Sequence, residues 1–176
     1  MKIVLFHGFS GGGKTTALTS ISRAIVKARL GKIGTIKRIH DRDFSIDSKG
    51  KDTWLHASSG SSVVVAVAPK EIDIIRKEED TSTVTLQEIL WIFRRSKVDY
   101  LLVEGLHQKF EKDKQVERII CAKNEAQAKD LIKIHDGNIL FVTGKFANKS
   151  HGKEIDGIPV LSLPRDNAKA LRLIGR

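Results

Sequence analysis

Cysteine is almost absent from this sequence. Cys121 is the only one among 176 residues, so one chain can form neither an internal disulfide nor a metal site built from several thiolates. It lies in the apolar run Ile119-Ile120-Cys121-Ala122, where we predict a buried structural thiol. The histidines form no H-x-H or H-x-x-x-H pair, so no tight metal-ligand cluster is expected.

Long hydrophobic runs and aromatic residues are also scarce. The longest apolar run, residues 63–68, is far shorter than the roughly 20 residues of a transmembrane helix. The amino terminus leads directly into a strand-like segment and carries no signal-peptide pattern, so we expect a cytoplasmic protein without a membrane partner. Aromatic residues make up only 6% and are not interleaved with the lysines, and nucleic-acid binding is therefore not expected.

Positive charge, by contrast, is abundant. The formal net charge of +10 favours polyanionic partners, but it does not distinguish a nucleic acid from a nucleotide or a phosphorylated cofactor.

The length of the chain is sufficient for one well-buried core and too short for two ordinary domains. We therefore predict a single nucleotide-binding domain over residues 1–176, on the basis of the motif described next.

A glycine-rich segment, residues 8–16, reads G-x-x-x-x-G-K-T-T and follows an apolar strand-like run. Glycines allow successive backbone amides to turn inward around an anion, and the dipole at the start of the following helix favours the same negative charge. In such a P-loop the lysine reaches the β- and γ-phosphates, and the next hydroxyl binds Mg²⁺. The predicted phosphate-binding residues are Gly11, Gly12, Gly13, Lys14, Thr15 and Thr16.

The order of predicted elements indicates an α/β protein with the three-layer P-loop NTPase fold and a mostly parallel sheet. Strand-like segments at residues 2–6, 33–39, 100–103, 116–122, 139–142 and 160–163 alternate with helical patterns at residues 14–30, 85–97, 124–134 and 167–174. Residues 63–68 and 72–76 read as an extra hairpin whose apolar residues need a cover, which a partner subunit would supply.

Acidic residues near the predicted sheet edge are candidates for the metal and for catalysis. Glu104 follows the apolar strand of residues 100–103, where a carboxylate would hold Mg²⁺ together with Thr15. The long polar loop after the second strand carries His40, Asp47 and Asp52, which are candidates for binding phosphate or Mg²⁺ or for positioning water. Spacing alone does not rank the two aspartates.

Recognition of the base is less specific in the sequence. The segment Asn148-Lys149-Ser150-His151 lacks the aspartate of the guanine-specific N-K-x-D pattern. Thr143-Gly144-Lys145 directly follows a predicted strand and is either a base-binding turn or an ordinary tight turn. GTP and ATP therefore both remain open from these residues.

Several motifs in this order resemble those of the molybdopterin-guanine dinucleotide biosynthesis protein B family. They are the P-loop, Ile36-Lys37-Arg38-Ile39-His40, Asp47, Gly50-Lys51-Asp52-Thr53, Ser59-Gly60-Ser61 and the D-x-L-L-V-E-G of residues 99–105. The resemblance covers about the first two thirds of the chain. It implies a cytoplasmic GTP-binding adaptor with weak GTPase activity that assists a guanylyltransferase in attaching GMP to molybdopterin, alongside other molybdopterin-handling proteins.

The resemblance also implies roles for individual residues and a homodimer in which extended strands are exchanged. Thr15 and Glu104 would hold Mg²⁺, and His40, Asp47 and Asp52 would line the catalytic site. Arg76 and Lys77, just after the second hairpin strand, would contact nucleotide bound to the partner chain.

This chain departs from the family pattern at three places. Of the three histidines in the family pattern I-K-H-x-H-H, this chain keeps only the second, His40. Arg38 and Asp41 occupy the positions of the first and the third. E-G-F-K becomes Glu104-Gly105-Leu106-His107, and A-G-A becomes Ser59-Gly60-Ser61.

Two other classes of protein share the P-loop and remain alternatives. They are metallochaperone GTPases, which need a Cys/His cluster, and small-molecule kinases, which need an arginine-rich lid.

Overall fold

The computed structural model describes residues 1–110, 113–135, 138–150 and 152–175. The chain divides into two compact units, one formed by Met1–Arg38 with Leu90–Arg176 and the other by Ile39–Ile89. The single domain over residues 1–176 stays a prediction. None of the helices within the described residues is long and apolar enough to cross a membrane.

The secondary structure follows the alternation predicted from the sequence. In chain order the elements are β1 Lys2–His7, α1 Lys14–Lys27, β2 Ile33–Lys37, α2 Asp52–Ser58, β3 Val63–Val67, β4 Ile72–Arg76, α3 Leu86–Arg95, β5 Tyr100–Glu104, a 3₁₀ helix His107–Phe110, β6 Glu117–Ala122, α4 Glu125–Ile134, β7 Ile139–Gly144, α5 Ala147–Ser150, β8 Glu154–Ile155, β9 Ile158–Pro159 and α6 Asn167–Ile174.

The first unit contains a parallel five-stranded sheet in the order β2-β5-β1-β6-β7. Its central strands carry runs of buried apolar residues because both faces of the sheet are covered. On β6, Ile119 and Cys121 join the core cluster that includes α1 and α6, whereas Ile120 and Ala122 join the cluster that includes α4. This alternation confirms the three-layer α/β fold, and it places Cys121 in the core, where burial raises the pKa of its thiol to about 12.

The prediction of a last strand over residues 160–163 is wrong. Only Val160 forms a β-bridge, with Val142, and the amide of Leu161 donates to the carbonyl of Val142 at 2.9 Å. The next amide, that of Ser162, donates instead to Asp166 Oδ2 at 2.7 Å. The chain therefore leaves the sheet edge and turns towards α6, because a side-chain acceptor competes with the backbone acceptors of the strand.

The second unit contains α2 and an antiparallel hairpin formed by β3 and β4. Val63 faces Arg76, Val65 faces Ile74 and Val67 faces Ile72 in the hairpin register. The predicted hairpin is thus confirmed as a local structure. The pairs Val65–Ile74 and Val67–Ile72 lie on one face and the pair Val64–Ile75 on the other, because side chains of a strand alternate between the two sides.

Candidate functional site

The glycine-rich loop between β1 and α1 lies against the carboxyl end of β6. A Cβ atom at Gly8 would come within 2.0 Å of the carbonyl oxygen of Cys121, and one at Gly12 within 2.5 Å of the same atom. No side chain fits at either position. Gly13, by contrast, is required for its backbone, which has a φ of 94°. The four glycines of the motif are therefore required for two reasons, close packing against β6 and left-handed backbone geometry.

Lys14 begins α1 and folds its side chain back over the loop. Its ammonium donates to the carbonyl oxygens of Gly8 and Phe9 at 2.8 and 2.9 Å. The first turn of α1 carries no acidic residue, and Gly13 offers no side chain to cap it. The amides at the start of the helix consequently have no side-chain cap from Gly13, an arrangement that favours phosphate.

Thr15 and Glu104 are brought together by the parallel pairing of β1 with β5. Phe6 is paired with Glu104 at the end of the two strands, and Thr15 follows at the start of α1. The Thr15 hydroxyl lies 2.8 and 3.0 Å from the two carboxylate oxygens of Glu104. Lys37, at the end of the neighbouring β2, donates to Glu104 Oε1 at 2.7 Å.

Glu104 is buried, with only 8% of the residue exposed. Burial, the largest single influence, favours the neutral form, but hydrogen bonds from Lys37 and Thr15 and the charges of Lys37 and Lys14 outweigh it. Together they hold the pKa of Glu104 below its usual value. A buried, ionised carboxylate beside a hydroxyl is a suitable pair of oxygen ligands for a hard divalent cation.

These groups border a cleft of about 350 Å³. It is lined by Ser10, Gly11, Gly13, Lys14, Thr15, Thr16, Glu104 and Lys145. Lys145 belongs to the turn after β7, which the sequence left open as a base-binding or an ordinary turn. The cleft combines two ammonium groups, loop amides and one carboxylate, so it can bind a polyphosphate together with a metal ion.

The other predicted site residues lie in the second unit. His40 and Asp52 are exposed, the latter in the first turn of α2. Asp47 Oδ1 accepts hydrogen bonds from the Ser48 amide at 2.9 Å and the Thr53 hydroxyl at 2.8 Å. Asp47 thus ties the polar loop to the first turn of α2. The catalytic roles of these three residues stay predictions.

Arg76 and Lys77, the two residues expected to reach a partner's nucleotide, are held by groups of the second unit. The Arg76 guanidinium pairs with Glu78 and, at 3.2 Å, with Glu88. Lys77 donates to the Ser45 hydroxyl at 3.2 Å. Their contact with nucleotide stays a prediction.

The segment compared with the guanine-specific N-K-x-D pattern is residues 148–151. Within it, Asn148 accepts a hydrogen bond from the Ser162 hydroxyl, and His151 lies outside the described residues.

Three histidines that are distant in sequence meet in the first unit. The ring of His7 lies 4.8 Å from that of His107 and 4.3 Å from that of His135, between centroids, and His7 Nδ1 is 2.9 Å from His135 Nε2. Burial first, and then the neighbouring histidines, lower the pKa of His7 to about 4. In the portion of the chain that the structure describes, no three His, Cys, Asp or Glu side chains are arranged to hold a metal ion.

Sequence reasoning overlooked one cation beside the loop, Lys123. A Cβ atom at Gly11 would lie 2.9 Å from Lys123 Cε, which places the end of this side chain against the P-loop backbone. The signal was present, because Lys123 directly follows the buried strand β6 at the edge where the loop lies. A lone lysine after a strand is too common a pattern to have been selected without the tertiary contact.

Comparisons with known proteins agree with the motifs. The sequence model of the family described as molybdopterin guanine dinucleotide synthesis protein B, MobB, matches residues 3–144. The molybdopterin-guanine dinucleotide biosynthesis adapter protein of Haemophilus influenzae is 34% identical over 101 residues, 57% of this chain and 54% of that protein. The protein of the same name from Escherichia coli is 27% identical over 124 residues, 70% of this chain and 67% of that protein.

Solved structures are similar over nearly the whole chain. A MobB homolog from Bacillus stearothermophilus superimposes with a TM-score of 0.68 at 17% identity and 99% coverage of both chains. Bacillus subtilis MobB gives a TM-score of 0.67 at 21% identity and 98% coverage of both chains. At these identities the structural likeness concerns the fold, whereas the family model spans most of the sequence and includes the P-loop and Glu104. The chain belongs to the MobB family.

Proposed function

We propose that this chain binds GTP in the P-loop cleft and acts as an adapter for the guanylyltransferase that attaches GMP to molybdopterin. Membership of the MobB family supports this proposal, as do the two curated relatives, which are named adapter proteins. The matched segments cover 54% and 67% of those relatives' own lengths. A cytoplasmic location and work alongside other molybdopterin-handling proteins are part of the proposal.

The observation that carries the proposal is the placement of Lys14, Thr15 and Glu104 around one cleft. On binding, the Lys14 ammonium would donate to phosphate oxygens in place of its two loop carbonyls. The cleft lining includes lysines but no arginine within the described residues. Weak hydrolysis is therefore expected, because no arginine of the cleft is placed to stabilise the charge of the transition state.

Thr15 and Glu104 would hold the Mg²⁺ ion that accompanies the triphosphate. Their donors fit: a hydroxyl and an ionised carboxylate meet at 2.8 Å, and Mg²⁺ accepts few protein ligands when phosphates and waters supply the rest. When bound, the ion would neutralise charge on the β- and γ-phosphates. Lys37, which now pairs with Glu104, supplies the positive charge that the ion would partly replace.

Glu104→Gln is expected to remove the Mg²⁺-dependent part of GTP affinity, a loss of about tenfold, because glutamine keeps the shape but not the charge of the ligand. Isothermal titration with GTP in the presence of Mg²⁺ and of EDTA measures this difference. Affinity without Mg²⁺ should be unchanged. Glu125→Gln, which alters an exposed partner of Lys129 on α4, is the control. Equal losses with and without Mg²⁺ would assign Glu104 a structural role.

The proposed function itself is tested by titrating wild-type protein with GTP, ATP and pyrophosphate, each with and without Mg²⁺. We expect GTP to bind more tightly than ATP, and both to bind more tightly than pyrophosphate when the base contributes. Equal affinities for GTP and ATP, with pyrophosphate also bound, would show a phosphate site without base recognition. Failure of all three ligands to bind would refute the proposal.

The hairpin of β3 and β4 supports a homodimer as part of the proposal. One face carries Val63, Val65, Val67, Ile72 and Ile74, which are 51–77% exposed. An isolated hairpin with such a face is marginal in water, and a contiguous apolar surface of this kind marks an interaction site. The resemblance to the family implies that a second copy of the chain covers it by exchanging strands.

The double variant Val65→Lys, Ile74→Lys is expected to be monomeric, because each subunit would bring these two lysines to a buried apolar contact. Sedimentation equilibrium at micromolar concentration measures the oligomeric state. Asp73→Lys adds a lysine to the opposite face of the same hairpin and should leave the dimer intact. A wild-type monomer, or a variant that dimerises as well as wild type, would contradict the assignment of this face.

A further inference from the structure

The side chain of Lys123 lies on the P-loop. Gly11 has a φ of 73°, and a Cβ atom built there would meet Lys123 Cε at 2.9 Å and Nζ at 3.4 Å. The end of the Lys123 side chain therefore lies beside Gly11, on the side of the loop where a Cβ atom would project. Lys14 reaches the same loop from α1, through the carbonyls of Gly8 and Phe9. Two ammonium groups from different elements thus converge on residues 8–11.

The root of the Lys123 side chain is fixed by its surroundings. Its amide donates to Gln127 Oε1 at 2.8 Å, and the Gln127 amide donates to Asn124 Oδ1 at 2.9 Å. These two hydrogen bonds hold the start of α4, with Asn124 as its N-cap. Cys121, two residues earlier, lies in β6 with its carbonyl oxygen against the loop. Lys123 is consequently anchored beside the loop by both the strand that precedes it and the helix that follows.

Within the described residues, no ion pair joins Lys123 to a carboxylate. Among the ion pairs of the described residues, Lys37 pairs with Glu104 and Lys129 with Glu125, whereas none involves Lys123. A lysine held against an anion-binding loop without an acidic partner raises the local positive potential at the point where phosphate charge would concentrate. Such a cation gains most of its interaction energy only when an anionic ligand is present.

We propose that Lys123 is a further phosphate-binding lysine of this site, beside the cleft residues Lys14 and Lys145, that it is supplied by the turn between β6 and α4, and that it contacts the phosphate chain of the bound nucleotide. The proposal rests on the proposed nucleotide-binding function and adds a residue outside the P-loop motif to it. No bond is made or broken by Lys123. Its ammonium donates to phosphate oxygens and neutralises their charge in both the bound nucleotide and any transition state of hydrolysis.

The test compares Lys123→Met, which keeps the aliphatic stem, with Lys123→Arg, which keeps the charge. The control is Lys133→Met, which removes an exposed lysine from the last turn of α4, the helix that follows Lys123. Isothermal titration of each protein with GTP, and with inorganic tripolyphosphate in place of a nucleotide, measures affinity with and without the base. Thermal unfolding without ligand checks that the variants fold alike.

Lys123→Met is expected to bind both GTP and tripolyphosphate about tenfold more weakly than wild type, the effect of losing one charge-assisted contact at a partly exposed site. The loss should shrink at high salt, and Lys123→Arg should lie within about threefold of wild type. Lys133→Met should match wild type.

Two outcomes overturn the assignment of Lys123 while leaving nucleotide binding intact. In one, Lys123→Met binds both ligands as Lys133→Met does. In the other, it weakens GTP but not tripolyphosphate, which would place its contact on the sugar or base. If wild-type protein binds neither ligand, the proposed function fails and the role of Lys123 fails with it.

Discussion

Lys14→Ala is expected to weaken GTP binding by about 100-fold or more, since charge-assisted contacts to two phosphates are lost where the loop amides cannot replace them. Hydrolysis, however slow in wild type, should fall to background. Fluorescence titration with a labelled GTP analogue and phosphate release under single-turnover conditions measure the two effects. The expectation follows from the position of the ammonium, already folded over Gly8 and Phe9 in the loop.

Lys27→Ala is the matched control for this prediction, because it removes one exposed lysine from the last turn of the same helix, α1. It should leave GTP affinity within about twofold of wild type, as expected for a distant, screened surface charge. Unchanged affinity in a folded Lys14→Ala protein would show that the nucleotide binds elsewhere, and the P-loop assignment would be abandoned.

Gly144→Ala is expected to disrupt both stability and the nucleotide site. Gly144 ends β7 with a φ of 133°, and a Cβ atom there would come within 2.0 Å of the Ala122 carbonyl oxygen and 2.8 Å of that of Gly12. Relief of such overlap by backbone shifts costs about 1–3 kcal/mol. Because the displaced Gly12 belongs to the phosphate-binding loop, GTP affinity should also fall by at least tenfold.

Gly60→Ala separates overlap from backbone strain. Gly60 also has a positive φ, 106°, but a Cβ atom there would have no neighbour within 4 Å. Both variants carry the strain of a left-handed residue, so the excess loss in Gly144→Ala reports the contact between β7 and the loop. We expect the melting temperature of Gly144→Ala to be about 3–10 °C below that of Gly60→Ala. Equal melting temperatures and unchanged GTP binding would contradict this contact.

Local features were read correctly where local chemistry determines them. The segment Thr85-Leu86-Gln87-Glu88 has the sequence pattern of a capping box, and Thr85 and Glu88 form that box before α3, with the Thr85 amide donating to Glu88 Oε2 at 2.7 Å. The spacing of Asn124 and Gln127 likewise indicates a helix N-cap, and Asn124 Oδ1 accepts a hydrogen bond from the Gln127 amide. These contacts join residues three positions apart, so their geometry follows from helix dimensions alone. The same holds for the strand, loop and helix of the P-loop motif.

The fold class was predictable because hydrophobic runs alternate with helical patterns, and a crossover from strand to helix to parallel strand has few alternatives. The proximity of Glu104 to Thr15 was predictable for a related reason: carboxyl ends of parallel strands meet at one edge. The last strand was not, because the competing acceptor Asp166 lies several residues further along the chain and acts only once the turn towards α6 has formed.

The sequence by itself determined that a phosphate-binding loop follows the first strand, that Lys14 and Thr15 open the next helix, and that an acidic residue ends a neighbouring strand. Only the tertiary structure decided that Gly8, Gly12 and Gly144 are contact points between the loop and strand ends, and that Lys123 lies on Gly11. The same is true of the meeting of His7, His107 and His135. The physical reason is that such contacts depend on side-chain volumes and strand registers far apart in the chain, which no local pattern encodes.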